Sequence, residues 1–292
     1  MLIRGLTMLG AAVVTPQAAA AIGLIAPPEQ RGKSIAFVFL GWSMAFVLGM
    51  PMAAYLGETF GWRVSFLVVS TLAAAAALAV HASLPAGLRS AALSGRTWKA
   101  VLTHPLLIAV IAISAVQAAG QFTQAAYLAP YYKRVLGASA LEVSFLFGWF
   151  GALGVIGNLV LVRVLGRVGF DGAVLALISL MAASLLCWPF ATSVGSTALV
   201  IAPWALSCFA MNSAQQARLT HLAFGLAPAL MALNTSAIYL GQAVGAAGGG
   251  WLLARGGPGV LHWGGLAWMV GAAALALWVR RRAGIKGVYA TK

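Results

Sequence analysis

Apolar residues run along this chain in long unbroken blocks, not in the short alternating patterns of a water-facing fold. Each block holds about 20 residues, enough to cross a roughly 30 Å hydrocarbon core as a helix. Lipid offers backbone groups no partners, so such blocks must be helical. Nine spans are predicted, at about 2–26, 35–57, 64–84, 105–130, 141–164, 170–192, 196–216, 227–252 and 260–280. The gaps between them are short, except for 85–104 (PAGLRSAALSGRTWKAVLTH), whose Ser, Arg and Lys mark a connector between two bundles. The expected organisation is a partial bundle of three helices over 1–84, that linker, a six-helix bundle over 105–280 and a basic tail over 281–292.

Within the second block, small residues recur every four positions: Gly41, Ala45, Gly49, Ala53 and Gly57, with Pro51 among them. Spacing of this kind shaves one helix face, so that another backbone can approach closely. Pro51 removes one helical hydrogen bond and predicts a local kink. The rhythm returns 196 residues later at Ala237, Gly241, Gly245 and Gly249. The same offset carries span 64–84 onto 260–280 and span 2–26 onto 198–222, overlapping the seventh. Spans one to three therefore match spans seven to nine as an internal repeat. Spans four to six have no counterpart, and a complete two-repeat protein is expected to hold three more spans before Met1.

Composition agrees with the block pattern. The chain of 292 residues is 62% hydrophobic and only 8% charged, against about 25% charged in a soluble domain. The net charge of +14 does not point to nucleic acid, because the bases sit singly or in short clusters between apolar blocks. They read instead as topological signals. With the C-terminal RRRAGIK placed inside, that side collects thirteen of the eighteen Lys and Arg, Arg218 among them, and the other side keeps five. The C-terminus is therefore expected in the cytoplasm and the N-terminus outside. The first residues also carry the Arg, apolar run and PQAAAA of a signal peptide. Cleavage there would turn the loop from Glu29 to Lys33 to the wrong face, so a true span is preferred. Cys187 and Cys208 lie in apolar runs, form no metal or disulfide spacing, and are expected in the core.

Polar residues inside spans are rare, and face a bundle interior or a cavity. Gln117, Gln121 and Gln124 share one face of the fourth span, at i, i+4 and i+7. Tyr127 and Tyr131 extend that face. Cys208, Asn212 and Gln215 repeat the spacing on the seventh span, beside Gln216, and Asn234, Thr235, Tyr239 and Gln242 lie on the eighth. Asn158 lies near the inner end of the fifth. Two readings stay open for these groups: the lining of a solute cavity, or hydrogen bonds between helices. All are uncharged, and as a cavity they would suit sugars, nucleosides or amphipathic drugs rather than polyanions. The four acids (Glu29, Glu58, Glu142 and Asp171) and the four histidines fall at loops or span ends. No mid-membrane carboxylate is available as a proton relay, and a coupling acid would have to lie in preceding sequence. Glu58 is close enough to Arg63 to form an outer ion pair. Arg4 is the base expected within a span's apolar run, with snorkelling to the interface as its alternative. No Walker A loop, H-E-x-x-H or G-x-S-x-G is present, so no enzyme activity and no metal or other cofactor is expected.

The segment APPEQRGKSIAFVFLGWSMAFVLGMPMAAYLGETFGWRVSF resembles the fourth-to-sixth-helix region of the major facilitator superfamily. It is most similar to the drug:proton antiporter branch, close to the bacterial sugar-efflux (arabinose-efflux permease-like) proteins. The residues carrying the likeness are Pro28, Arg31, Gly32, Gly41, Gly49, Pro51, Gly57, Gly61, Trp62, Arg63 and Phe66. Arg4-Gly5 with Gly10 resembles the fourth-helix motif, and YLGQAVGAAGGGWLL resembles the eleventh helix. The family's cytoplasmic G-x-x-x-D-R-x-G-R motif has only an imperfect copy, with Gly157, Arg163, Gly166 and Arg167 but no acid between them; Asp171 stands out of register.

The resemblance implies an all-α polytopic membrane protein of major-facilitator fold, covering helices four to twelve. It implies alternating access at a midplane site in the bacterial inner membrane. It also implies a small-molecule substrate, with protons as the coupling ion and efflux as the direction. On that reading Arg4, Arg31, Arg163 and Arg167 serve coupling or gating, and Gly41, Gly49, Pro51, Gly57, Gly241, Gly245 and Gly249 serve helix packing. The alternative is a truncated membrane fragment that does not transport on its own, or a longer transporter whose start has been misplaced.

Overall fold

The computed structural model describes residues 44–85, 94–223 and 226–286, together with a few isolated positions from Val14 to Gly41. The first expected span, 2–26, therefore lies almost wholly outside the described residues. Every described element is helical. Among the described residues, five helices are long and apolar enough to cross a membrane: Trp62–Ser83, Pro105–Arg134, Ala140–Leu186, Val194–Leu222 and Pro258–Arg282.

The first region is a helical hairpin. A π-helical turn, Ala45–Gly49, leads into α1 (Met50–Thr59), with Pro51 in its first turn. Proline has no N–H to give to the preceding turn, and the wider π turn sits where that bond is missing. Gly61, at φ 87°, turns the chain into α2 (Trp62–Ser83). Ser65 Oγ closes the hairpin by donating to Ala53 O at 2.9 Å. Neither α1 nor α2 holds a buried residue.

The expected linker contains a short amphipathic helix, α3 (Gly95–Leu102), capped by Ser94, which accepts from Thr97 N. Val101 is buried and Trp98 packs against the core, while Arg96 and Lys99 stay exposed.

The second region is a packed bundle. α4 (Pro105–Ala125) starts on Pro105, with the His104 side chain as cap, and gives way after Tyr127 to a short α5 (Leu128–Arg134). α6 (Ala140–Leu186) opens on a capping box between Ser139 and Glu142. It is two limbs, because Gly169 at φ 71° breaks it. That break lies in the gap expected between spans five and six. α7 (Val194–Leu222) opens on a second box, Ser193 with Ser196, and α8 (Ala227–Gly256) and α9 (Leu261–Lys286) complete the order. Cys208 is in the core, but Cys187 is exposed at the end of α6. This corrects the expectation for Cys187, which the helix end turns outward.

Close approach defines the bundle. A Cβ built on Gly241, Gly245 or Gly249 would collide with the carbonyl oxygens of Ala115, Ala119 and Thr123 in turn. The partners advance in step, so α8 runs parallel to α4 for about 12 Å, at 1.5 Å per residue. Gly120 and Gly265 meet reciprocally, each Cβ position lying 2.9 Å from the other's carbonyl oxygen, while Gly264 meets Thr123 and Gly271 meets Val116. These partners run in opposite senses, so α9 is antiparallel to α4. Gly154 and Gly157 of α6 bring Phe209 and Leu206 of α7 equally close.

Candidate functional site

α4 lies between α8 and α9, and its polar face is buried. Gln117 Nε2 donates to Gln121 Oε1 at 3.2 Å and to Met181 Sδ of α6 at 3.1 Å. Gln121 Nε2 donates to Cys208 Sγ of α7 at 2.7 Å. Gln124 is buried, and its Oε1 has no hydrogen-bond partner. Tyr127 lies over Gly249 and Gly250, where a Cβ would strike its ring, and its hydroxyl donates to Ala246 O at 2.6 Å. Tyr127 and Tyr131 also line a small recess, with Pro130, Arg134, Leu253, Pro258 and Leu261.

A second group joins four helix segments. Ser114 Oγ of α4 donates to Asn234 Oδ1 of α8 at 2.7 Å. Gln215 Nε2 of α7 donates to Ser114 Oγ and to Val110 O, each at 3.0 Å. Arg218 Nη1 reaches Gln215 Oε1 at 3.5 Å, and its other terminal nitrogen pairs with the carboxylate of Asp171 in α6. Asn212 of α7 and Tyr239 of α8 are half-buried. Asn158 Oδ1 is buried without a hydrogen-bond partner, next to the Gly157 crossing.

The expectation placed Arg218 among the loop cations. The structure corrects this: Arg218 lies inside α7 and is 1% exposed. Ser114, Arg218 and Asp171 were not singled out as site residues. Spacing could have found two of them, since Ser114 stands three before Gln117 and Arg218 three after Gln215.

The gating candidates are placed differently. Arg163 and Arg167 are exposed, and Arg163 Nη1 donates to Leu159 O of its own helix at 3.4 Å. Asp171 turns to Arg218. Arg4 and Arg31 lie outside the described residues. Glu58 pairs with Lys133 of α5, not with Arg63, whose guanidinium stacks 4.8 Å over Trp62. This also corrects the expectation, because the end of α1 faces α5 across the two regions. Ser144 Oγ of α6 adds a bond to Pro51 O at 3.2 Å. Among the packing candidates, Gly41 has nothing within 4 Å of its Cβ position, Gly49 meets only Ala45 of its own turn, and Gly57 meets Ser65 Oγ at 3.3 Å. Among the described residues, no group of three His, Cys, Asp or Glu could hold a metal ion.

Chemically, the described bundle interior offers uncharged donors and acceptors, with the Arg218–Asp171 ion pair near the end of α7. Comparison with known proteins agrees with this character. The model of the Major Facilitator Superfamily matches residues 1–229. The chain is 28% identical over 257 residues to the inner membrane transport protein YdhP of Escherichia coli O157:H7, and 27% identical to YdhP of Escherichia coli strain K12. Each match covers 88% of this chain and 66% of the relative, so the chain spans a little under two thirds of their length. With its membrane-length apolar helices and a family match over most of its sequence, the chain is an integral membrane protein of the Major Facilitator Superfamily.

Proposed function

We propose that this protein is a secondary transporter of the bacterial inner membrane, exporting a small neutral or amphipathic solute by alternating access with proton coupling. One observation carries the solute class. The groups facing one another in the bundle interior, Gln117, Gln121, Gln124, Ser114, Gln215 and Asn234, are all uncharged hydrogen-bonding side chains. A sugar, nucleoside or oxygen-bearing drug is matched by such groups, whereas a polyanion would need convergent Arg. Proton coupling and efflux rest on the likeness of the Pro28-to-Phe66 segment to the drug:proton antiporter branch. A cytoplasmic C-terminus rests on the charge bias.

A second reading is a membrane chain that does not transport alone. It is favoured by the first region, where, among the described residues, α2 has no buried residue and the Cβ positions of Gly41 and Gly49 have no atom of another helix within 4 Å. Proteoliposomes holding the full chain, under an imposed pH gradient, separate the two. Transport predicts that at least one solute from a panel of sugars, nucleosides and drugs moves against its gradient and stops with a protonophore. Correct insertion with no movement of any member would favour the second reading.

A further inference from the structure

Arg218 is a poor place for a charge unless something needs it there. It is 1% exposed inside α7, and a buried guanidinium is tolerated only when paired and hydrogen-bonded. Its carboxylate partner, Asp171, is delivered by the Gly169 break, which starts the second limb of α6 two residues earlier. A carboxylate in the first turn of a limb is favoured by the helix dipole. The ion pair is therefore anchored in a separate element and does not depend on α7 alone.

The pair has a directional consequence. Arginine only donates hydrogen bonds. The amide of Gln215 must therefore turn Oε1 toward Arg218, which fixes Nε2 toward α4. There Nε2 donates to Ser114 Oγ, so the Ser114 hydroxyl must give its own proton onward, to Asn234 Oδ1. Asn234 is then left with Nδ2 as an open donor. That nitrogen is buried in a residue with 0% exposure and has no hydrogen-bond partner. Val110 O, which can only accept, takes a second bond from the same Gln215 Nε2 at 3.0 Å, so Arg218 and the Val110 carbonyl hold the Gln215 amide in the same sense from its two ends.

We propose that Arg218, held by Asp171, is a positioning residue: together with Val110 O it holds the direction of the Gln215–Ser114–Asn234 chain, which presents Asn234 Nδ2 as a donor to an acceptor oxygen of the solute. The solute half of this inference rests on the transporter reading; the positioning half does not. The residues in the chain lie on α7, α4 and α8, so the ion pair near the end of α7 is linked to the helices joined by the glycine crossing.

The sequence contains three asparagines, Asn158, Asn212 and Asn234. Selective labelling of Asn side-chain amides with ¹⁵N in the full-length detergent-solubilised protein therefore isolates the end of the chain. Arg218→Gln and Asp171→Asn should both move the Asn234 amide signals and leave those of Asn158 in place. Arg218→Lys, which keeps the charge, covers the case in which Arg218→Gln does not fold, and should move the Asn234 signals part of the way. Unchanged Asn234 signals in Asp171→Asn and Arg218→Lys would overturn the positioning role. So would equal movement at Asn158, which marks general loosening. In proteoliposomes, Asn234→Leu removes the donor without adding a charge. It should raise KM for uridine, which carries acceptor oxygens, by about tenfold and leave KM for ethidium, which has none, unchanged. An equal rise for both probes would overturn the donor assignment. If no member of the sugar, nucleoside and drug panel moves in the wild-type protein while the Asn234 signals still follow Arg218, the transport reading falls and the positioning role stands.

Discussion

Gly41, Gly49 and Gly57 follow the same four-residue rhythm as Gly241, Gly245 and Gly249, yet the two stripes meet different surroundings. The later one lies against the backbone of α4, so tightly that no Cβ fits at any of its three glycines. The earlier one meets its own turn at Gly49 and one hydroxyl at Gly57. Sequence spacing states which face permits close approach; it does not state whether anything approaches. In lipid this distinction matters more than in water, because helix association gains no hydrophobic drive and depends on packing and hydrogen bonds. The bundle from α4 to α9 has both. Among the described residues the α1–α2 hairpin has one hydroxyl bond between its helices, and it meets the bundle through the π turn and α1, where Ala54 packs on the core, Pro51 O accepts from Ser144 and Glu58 pairs with Lys133.

The sharpest way to break the comparison is to add bulk to the packed stripe. Gly245→Leu drives a side chain into Ala119 O and should lower stability by about 3 kcal/mol. Thermal unfolding of the detergent-solubilised protein measures it. A midpoint equal to wild type would mean that α4 and α8 are not packed as described.

Much of this contrast could be read from sequence, and the part that could not has a physical cause. Long apolar blocks marked helices of the bundle because backbone satisfaction in lipid leaves few options, and the break at Gly169 falls in the gap left between the fifth and sixth expected spans. The α3 helix escaped notice because eight residues with one buried face look like any polar connector. Arg218 was misplaced for a related reason. A cation four residues from a helix end reads as interfacial, and only the Asp171 carboxylate from another limb makes its burial tolerable. The three glutamines of α4 were legible as one face, but their partners Met181 and Cys208 were not, since neither residue type signals a hydrogen bond. The face was visible; the helix it would meet was not.

Hydroxyl removal gives a smaller test of the same contrast. Ser114→Ala takes out a link between α4, α7 and α8 and should cost about 1 kcal/mol. Ser70→Ala on exposed α2 removes only a bond to Phe66 O of its own helix and should change stability by less than about 0.5 kcal/mol. Equal losses would show that the second region is not the tighter of the two.

The ion pair between the regions should matter less still. Glu58 and Lys133 are each about one-third exposed, with side-chain values of 33% and 38%. Exposed pairs contribute about 0–1 kcal/mol. A double-mutant cycle with Glu58→Gln and Lys133→Met should give a coupling in that range that fades at high salt. A coupling well above it, insensitive to salt, would place the pair in a drier contact than its exposure describes.

The smallest stability effect is expected at Gly49, and it is the most informative about transport. Among the described residues, its Cβ position has only Ala45, at 4.0 Å, within contact distance. Gly49→Leu should therefore change stability by less than about 0.5 kcal/mol, far below Gly245→Leu on the matching stripe. If the shaved face is used only when the two regions move against each other, the same substitution should still abolish transport. Unfolding and proteoliposome uptake measured on one preparation separate these effects. Loss of uptake with an unchanged midpoint makes the open stripe a surface met during the transport cycle. Retained uptake makes it a lipid-facing glycine series, and leaves close packing in this chain to the bundle around α4.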